Sequence, residues 1–289
     1  MTQISYEKNK NFIWRHTVDN VPREPSNIMH YDNSMVITYF MRGHGSIFVE
    51  NSHTDISEGD LVVVSPNEFH RTTFEGSPVH ERISIYVQPS LAESTGINRE
   101  QLFGIFFDRK QGRGNVIPAK VIKELGIDRI LCDMSAPEDS DGDIILQCKI
   151  IELLIRLKRA IAMVEREPLP VRESKTTTAV IGYINEHLSE ELTTSGIAEA
   201  LFLDKSYLCR EFKKNTGATI NQYVTKKRLC MAINLMASGR SCTEACYLRG
   251  FGNYSSFYKY YRRYTDSTPG EMKMQNAKLG REHRSSNIY

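Results

Sequence analysis

Two short segments of the chain carry the same pattern of side chains that can bind phosphate. The first reads REFKKNTG (210–217), and the second, 49 residues later, reads KYYRRYTD (259–266). Each begins with a basic residue, continues with an aromatic residue and a basic pair, and ends at a turn residue. On a helix this spacing separates the aromatic face from the basic one. A basic face can be merely solvated, but its repetition in matched register favours binding to a polyanion.

The charge of the chain is also unevenly distributed, and the half that contains both basic segments is the basic one. Residues 1–173 hold 20 Lys and Arg against 25 Asp and Glu, a balance of −5. Residues 174–289 hold 17 against 10, a balance of +7, and the two halves give the +2 of the whole chain. A basic half joined to an acidic half indicates that one end meets a polyanion and the other does not.

Each basic segment ends the second helix of a predicted helix-turn-helix unit. In the first unit, Thr193 begins one helix and Asp204 caps the next; in the second, Ser241–Glu244 form a capping box and Asn253 caps the next helix. A helix over 219–237 joins the units and spans roughly 28 Å, near the ~34 Å between successive major-groove faces of DNA. This length predicts that both second helices enter adjacent major-groove segments.

The segments LTTSGIAEALFLDKSYLCREFKKNTGATINQYVTKKRL (192–229) and CTEACYLRGFGNYSSFYKYYRRYTDSTPGEMK (242–273) resemble the DNA-binding domain of the AraC-type transcriptional regulators. The resemblance implies that the second helix of each unit lies in the major groove of double-stranded promoter DNA. The residues it places at base edges are Ser206, Cys209 and Arg210 in the first unit and Tyr254, Ser255, Ser256, Tyr258 and Lys259 in the second. Those it places at phosphates are Lys213, Lys214, Arg262 and Arg263, and Lys205 and Asn253 complete the predicted DNA-binding set.

Three features depart from the family pattern. Gly196 lies inside the first helix of unit one and costs about 0.5–1 kcal/mol relative to Ala. Ser206 and Cys209 stand where longer polar side chains are usual, and Asp266 replaces the usual Gly. We therefore expect Arg210 and the second unit to supply most of the base specificity.

The N-terminal half has a different pattern, in which short apolar strands alternate with turns from Met35 to Val87. The stretch RGHGSIFVENSHTDISEGDLVVVSPNEFHRTTF (42–74) resembles the cupin-like sensor domain that precedes the DNA-binding domain in many of these regulators. A small barrel of this kind can enclose one ligand, so we expect a pocket for a small-molecule effector. The polar residues expected to line it are His30, Tyr39, His70, Arg82 and Tyr86.

A metal site is a weaker interpretation of the same half. Enzymatic cupins bind metal through a His-x-His pair with a later Glu and His, and here His30, Asp32 and His70 are the nearest approximation. We expect no metal, no cofactor and no catalytic activity. A metal-dependent cupin enzyme with a helical appendage is the alternative, as is a ligand-free regulator controlled by a protein partner. The six cysteines lack zinc-site spacing, and we expect them to be reduced.

These features predict an α+β multidomain protein. We expect a cupin-like sensor and dimerisation domain over 1–165, with a β-barrel or jelly roll over about 12–90 and helices over about 98–165. A linker over 166–178, a double helix-turn-helix domain over 179–280 and a tail over 281–289 follow. Residues 144–165 form the strongest predicted helix, with an apolar stripe at Ile150, Leu154, Leu157, Ile161 and Val164. This stripe is either a dimer seam or the face of a core helix.

The partners and the location follow from the same observations. The N-terminus lacks an apolar signal region, and no run of about 18 apolar residues occurs, so we expect a cytoplasmic protein without a membrane span. The family resemblance implies an activator that acts on RNA polymerase, and we expect it to be a homodimer.

Overall fold

The structure is a computed structural model that describes residues 2–7, 9–20, 34–50, 52–66, 68–75, 79–107, 109, 112–167, 169–170, 172–237, 239–265 and 268–270. Its contacts divide the chain into two compact units, Met1–Ser174 and Lys175–Tyr289. The first unit combines strands with helices, and in the second the described elements are helices. The predicted α+β architecture is therefore confirmed.

The strands of the first unit form two antiparallel sheets. The six-stranded sheet, in the order β1-β2-β8-β3-β6-β9, consists of β1 (Thr2–Tyr6), β2 (Phe12–Asp19), β8 (His80–Val87), β3 (Met35–Arg42), β6 (Leu61–Val64) and β9 (Val116–Ile117). The three-stranded sheet, in the order β5-β4-β7, consists of β5 (Ser52–Ile56), β4 (His44–Val49) and β7 (His70–Glu75). Strands β1 and β9 lie outside the region predicted as a barrel, about 12–90. Strand β1 pairs with the next strand in the chain, β2, whereas β9 has only two residues and pairs with the distant β6.

Alternation along the strands gives the six-stranded sheet two apolar faces. On β3, Ile37 and Tyr39 belong to the cluster that contains the helices of this unit. Val36 and Phe40 instead pack with Ile47 of the three-stranded sheet, between the two sheets. Successive strand residues point to opposite faces, so neighbouring residues of β3 serve two different cores.

Five helices of the first unit are described: α1 (Ser90–Thr95), α2 (Arg99–Phe107), α3 (Ala119–Glu124), α4 (Ile127–Cys132) and α5 (Ser140–Arg166). Within the region 98–165, predicted to be helical, α3 and α4 are separate helices because Gly126 between them takes a left-handed φ of 62°. Helix α5 is confirmed, and Asp139 caps its start by accepting a hydrogen bond from the Gly142 amide.

The predicted apolar stripe of α5 is core. Its five residues, Ile150, Leu154, Leu157, Ile161 and Val164, are at most 4% exposed. The dimer-seam interpretation therefore does not apply to that stripe. Another side of the helix leaves Ile144, Ile145 and Ile155 exposed, at 60%, 55% and 44%.

The second unit contains α6 (Lys175–Glu186), α7 (Thr194–Ala200), α8 (Lys205–Thr216), α9 (Ile220–Ala237), α10 (Cys242–Leu248) and α11 (Tyr254–Thr265). Residues 175–178, predicted to lie in the linker, are helical. Thr177 is 1% exposed and faces the core side of α6 with Val180 and Ile181, and this burial outweighs the low helix propensity of threonine.

Candidate nucleic-acid interface and ligand cavity

Side-chain caps begin the helices of both helix-turn-helix units, as predicted. Thr193 accepts the Gly196 amide at 3.0 Å, and Asp204 accepts the Tyr207 amide at 2.8 Å. Ser241 and Glu244 form a reciprocal capping box. Gly196 therefore belongs to the first turn of α7, where its amide is satisfied by the cap, and it weakens the helix less than a glycine in a helix interior would.

The corresponding cap of α11 is Asn253, which accepts the Ser256 amide at 2.8 Å. At the C-terminus of α8, Gly217 adopts the predicted left-handed conformation, with φ of 75°, and donates to the Lys213 carbonyl. Asp266, predicted to end α11 in the same way, lies outside the described residues.

The first predicted recognition helix, α8, turns its basic side away from the core. Leu208 and Phe212 are fully buried, and Phe212 meets Tyr223 of α9 edge-on with ring centroids 5.5 Å apart. The predicted contact residues of this helix, all exposed, are Lys205, Ser206, Cys209, Arg210, Lys213 and Lys214. The buried stripe thus fixes the orientation of a face that carries four cationic side chains.

Helix α11 repeats this arrangement with larger side chains. Phe257 and Tyr261 are buried, and Phe257 packs edge-on against Phe251 of the preceding turn at 5.2 Å. The exposed members of its predicted set are Asn253, Ser255, Lys259, Arg262 and Arg263, and the half-buried members are Tyr254, Ser256 and Tyr258.

The two helices correspond position by position at an offset of 49 residues. Buried Leu208 and Phe212 correspond to Phe257 and Tyr261. On the outer face the corresponding pairs are Ser206 and Ser255, Cys209 and Tyr258, Arg210 and Lys259, Lys213 and Arg262, and Lys214 and Arg263. One geometry therefore presents two different sets of side chains.

Tyr254 differs from the rest of the predicted set. Its ring packs against the core cluster of the second helix-turn-helix unit and lies 5.8 Å from Phe257 and 6.4 Å from Tyr258. Burial raises the pKa of its phenol. The structure thus places Tyr254 between the core and the exposed face, with Tyr258 beside it.

Arg228 of α9 joins the two helix-turn-helix units, and the sequence patterns gave no sign of it. Its Nε donates to the Leu188 carbonyl at 2.8 Å and its Nη2 to the Glu190 carbonyl at 2.5 Å, both in the segment before α7. A Cβ added to Gly250, in the turn between α10 and α11, would lie 3.0 Å from the same guanidinium, and Gly250 has φ of 75°. The Arg228 side chain therefore touches both units at once.

A further hydrogen bond connects the segment before α7 to the second helix-turn-helix unit. The Ser189 hydroxyl donates to the Leu248 carbonyl of α10 at 3.2 Å. Burial lowers the pKa of Arg228. Nearby on α9, burial and then the charge of Arg263 lower the pKa of Lys226. Helix α9 thus supplies cationic side chains close to the basic end of α11.

The predicted ligand pocket corresponds to a cavity of about 180 Å³ between the two sheets of the first unit. Three of the five predicted residues, His70, Arg82 and Tyr86, line it. The Arg82 guanidinium lies 3.3 Å from Asp19 and 5.2 Å from the centroid of the Phe74 ring. The sequence reasoning missed the other lining residues, which are Val36, Thr38, Phe40, Ile47, Val62, Val64, Thr72, Phe74 and Ser84.

The other predicted pocket residues are not placed at this cavity. Tyr39 belongs to the cluster on the opposite face of the six-stranded sheet, where burial raises the pKa of its phenol. Strand parity explains the error, because Thr38 and Phe40 point between the sheets and Tyr39 points the other way. His30 and Asp32 lie outside the described residues.

The His70 ring nitrogen Nδ1 pairs with the Glu68 carbonyl at 3.0 Å.

Within the described part of the chain, no three His, Cys, Asp or Glu side chains come together as a metal site would require. In the same part, no helix has both the length and the apolar character needed to cross a bilayer.

Two protein-family models match the chain in the regions just described. An AraC-like ligand-binding domain matches residues 23–154, and a helix-turn-helix domain matches residues 197–275. A probable transcriptional regulator of Photobacterium leiognathi, LumQ, is 23% identical over 241 residues, which cover 83% of this chain and 89% of LumQ. The transcriptional activator RhaS of Salmonella schwarzengrund is 29% identical over 141 residues, or 48% of each chain, so the match spans about half the length of RhaS.

Solved structures show a weaker likeness. ToxT of Vibrio cholerae, solved with an unsaturated fatty acid bound, has a TM-score of 0.41 at 12% identity, over 92% of this chain and 96% of ToxT. An AraC-type regulator from Chromobacterium violaceum has a TM-score of 0.33 at 26% identity, over 35% of this chain and 92% of its own. These scores are too low to transfer a ligand or a binding mode.

Proposed function

Because the chain belongs to the family of AraC-type transcriptional regulators, we propose that it binds promoter DNA through both α8 and α11. The observation that supports this most is the matched pair of basic faces, each opposite a buried stripe. A lone basic helix face is common on protein surfaces, whereas two in the same register suit a duplex whose major groove returns every ~34 Å. Helix α9, with 18 residues, spans about 27 Å between them.

The side chains on the two faces divide into two roles. Lys213, Lys214, Arg262 and Arg263, in the last turns of the helices, neutralise phosphates and set affinity. Arg210, Tyr258 and Lys259, one turn earlier, reach base edges and set sequence preference. Relatives of the chain are transcription regulators, and we propose that it has no catalytic activity and acts in the cytoplasm.

Charge removal on one face tests this proposal against a matched control. Lys213→Ala with Lys214→Ala should weaken binding to specific and random DNA alike and reduce the slope of log affinity against log salt by about 1.8. Lys120→Ala with Lys123→Ala removes the same charge from exposed positions of the first unit and should change neither quantity. Equal effects of the two double variants, measured by fluorescence anisotropy on the full chain, would exclude α8 as a DNA-binding face.

We also propose that the protein is an activator that contacts RNA polymerase and works as a homodimer. The exposed side of α5 supports the dimer, since Ile145, Cys148, Glu152 and Ile155 follow one another at helical spacing and are exposed. Sedimentation should show a loss of dimer when Ile145 and Ile155 are both changed to Asp. An unchanged dimer would place the interface elsewhere.

The cavity between the sheets is the proposed effector site. Its apolar walls and the Arg82 guanidinium suit a small molecule with an apolar body and a carboxylate. A ligand that prefers one arrangement of this domain would shift DNA affinity by that preference. A panel of monocarboxylates should therefore contain a compound that changes DNA affinity of the wild type but not of Arg82→Met. Unchanged affinity across the panel, together with equal DNA binding by a fragment beginning at Ser174, would refute this sensing role.

A further inference from the structure

The first unit contains a second cavity, of about 250 Å³, which shares no lining residue with the cavity between the sheets. Its walls come from Thr54 of β5, from Arg109 and residues 112–116 after α2, from Val164 and Glu165 at the end of α5, and from Leu169 of the linker. A cavity of roughly 150 Å³ already accepts benzene, so this one has room for a substituted six-membered ring.

A buried ion pair forms the polar wall. Arg109 Nη2 lies 2.6 Å from Glu68 Oε2, and both side chains are at most 2% exposed. The same carboxylate oxygen accepts from the Ser65 amide at 2.7 Å and from Asn115 Nδ2 at 3.2 Å. The Gly112 amide donates to the other oxygen at 3.0 Å. The Glu68 carboxylate therefore matches the guanidinium charge of Arg109 inside the protein.

Among the residues that the structure describes, two polar atoms of this wall have no hydrogen-bond partner. They are the Nε donor of Arg109 and the Oδ1 acceptor of Asn115, on residues that are 7% and 6% exposed. A buried polar atom without a partner costs about 1–3 kcal/mol, and both residues line the cavity. Arg109 and Asn115 also donate, through Nη2 and Nδ2, to the same Glu68 oxygen, so the two side chains meet at one carboxylate.

The linker contributes Leu169 to the cavity wall and is attached to the edge of the three-stranded sheet. Arg172 and His53 of β5 exchange two backbone hydrogen bonds, at 2.9 and 3.0 Å. Arg172 also pairs with Asp55, and Glu173 pairs with Arg113 at 2.6 Å. Leu169, three residues before Arg172, packs against the apolar cluster between the sheets while lining the second cavity. A molecule in this cavity would thus touch the linker that leads into the second unit.

We propose that this cavity binds a small neutral molecule with an apolar ring and a carboxamide, and that binding holds the linker against β5. The carboxamide oxygen accepts from Arg109 Nε, and its NH₂ group donates to Asn115 Oδ1. A carboxylate fits less well, because Glu68 and Glu173 already pair with the two lining arginines, Arg109 and Arg113, and Glu165 lies in the same wall. This inference goes beyond the proposed function, since neither DNA nor the cavity between the sheets enters it.

NMR titration of the full chain with cyclohexanecarboxamide and benzamide tests the binding step. Both should bind saturably and shift the amide signals of Gly114 and Asn115, whereas cyclohexanecarboxylate, of the same shape, should bind at least tenfold more weakly. Val164→Phe fills the cavity, and its affinity for the amides should fall about tenfold or more. Leu169→Trp, at a partly exposed position, fills it from the other side and serves if Val164→Phe does not fold.

Lys123→Ala, at an exposed position of the same unit and in neither cavity, is the control and should bind both amides as the wild type does. Hydrogen exchange at the Arg172 amide reports on the linker and should slow when either amide is bound. Absence of saturable binding, binding that survives both filling variants, or binding lost in Lys123→Ala would overturn the site. Saturable binding with unchanged Arg172 exchange would overturn its effect on the linker.

Discussion

The two helix-turn-helix units share one geometry, in which α8 and α11 expose the same helical positions. The residue types at most of these positions differ between the two helices. In unit one the outer face carries Cys209 and the lysine pair of α8, and in unit two it carries Tyr258 and the arginine pair of α11. Arginine binds phosphate through a planar fork, and tyrosine offers both a ring and a hydroxyl, whereas cysteine offers neither. A shared fold therefore fixes where each helix points, and the side chains decide how much each helix contributes.

Arg228 contacts both helix-turn-helix units. We therefore expect its loss to have the largest effect on stability and on DNA recognition. Arg228→Met removes two bonds from a guanidinium to carbonyls of the segment before α7 and should destabilise the second unit by about 3 kcal/mol. It should also let the protein bind DNA sites in which the spacing between the bases read by α8 and those read by α11 is altered. Thermal unfolding and binding to spacing variants measure these effects. Arg240→Met, which breaks only an exposed pair at 3.6 Å, should leave both unchanged.

The arginine pair of α11 should matter more than the lysine pair of α8. Arg262→Ala with Arg263→Ala should lower DNA affinity on the order of 30-fold at 0.15 M salt, slightly more than the matching lysine variant. The salt slope should fall by about 1.8 in both. Anisotropy across a salt series checks the ranking, and a larger loss from the lysine variant would reverse the proposed asymmetry.

The next effect separates base reading in the two units. Tyr258→Ala should cost about tenfold on a specific site and little on random DNA, because a base contact is worth about 1–3 kcal/mol. Cys209→Ala, the corresponding change in α8, should cost about twofold or less. Competition between specific and random duplexes measures both, and equal losses for the two variants would remove the distinction between the units.

The smallest effect concerns the caps. Hydrogen bonds from the Ser241 amide and hydroxyl lower the pKa of Glu244 below its ordinary 4.5. A lowered pKa means that the carboxylate stabilises the fold at pH above 4.5 and that this stabilisation is lost as the pH falls through the lower value. Glu244→Gln should therefore flatten the acid limb of the stability curve of the second unit. Unit one has Gly196 at the corresponding position, so Gly196→Ala should leave that limb unchanged in the same thermal series.

The features that the sequence predicts correctly depend on side chains close together along the chain. The caps at Thr193, Asp204, Ser241 and Asn253, and the buried stripes of α8 and α11, depend on residues within one or two helical turns. Tyr39 lies on the opposite face of β3 from Thr38 and Phe40, and the polar character of a side chain does not show which face of its strand it occupies. Parity alone would have selected Thr38 instead.

The remaining features depend on contacts that sequence spacing does not encode. Arg228 meets Leu188 across 40 residues, and Arg109 meets Glu68 across 41. Nothing near either arginine in the sequence distinguishes it from a solvated cation. Only tertiary packing shows that one joins two helix-turn-helix units and that the other lines a cavity.

Selection of binding sites from random duplex DNA by the full chain tests the central claim most directly. We expect a motif of two blocks about one helical turn, roughly 10 bp, apart, with the block read by α11 more sharply defined. Repeating the selection with Tyr258→Ala should blur that block and leave the other intact. A motif with a single block, or two blocks that Tyr258→Ala blurs equally, would contradict it.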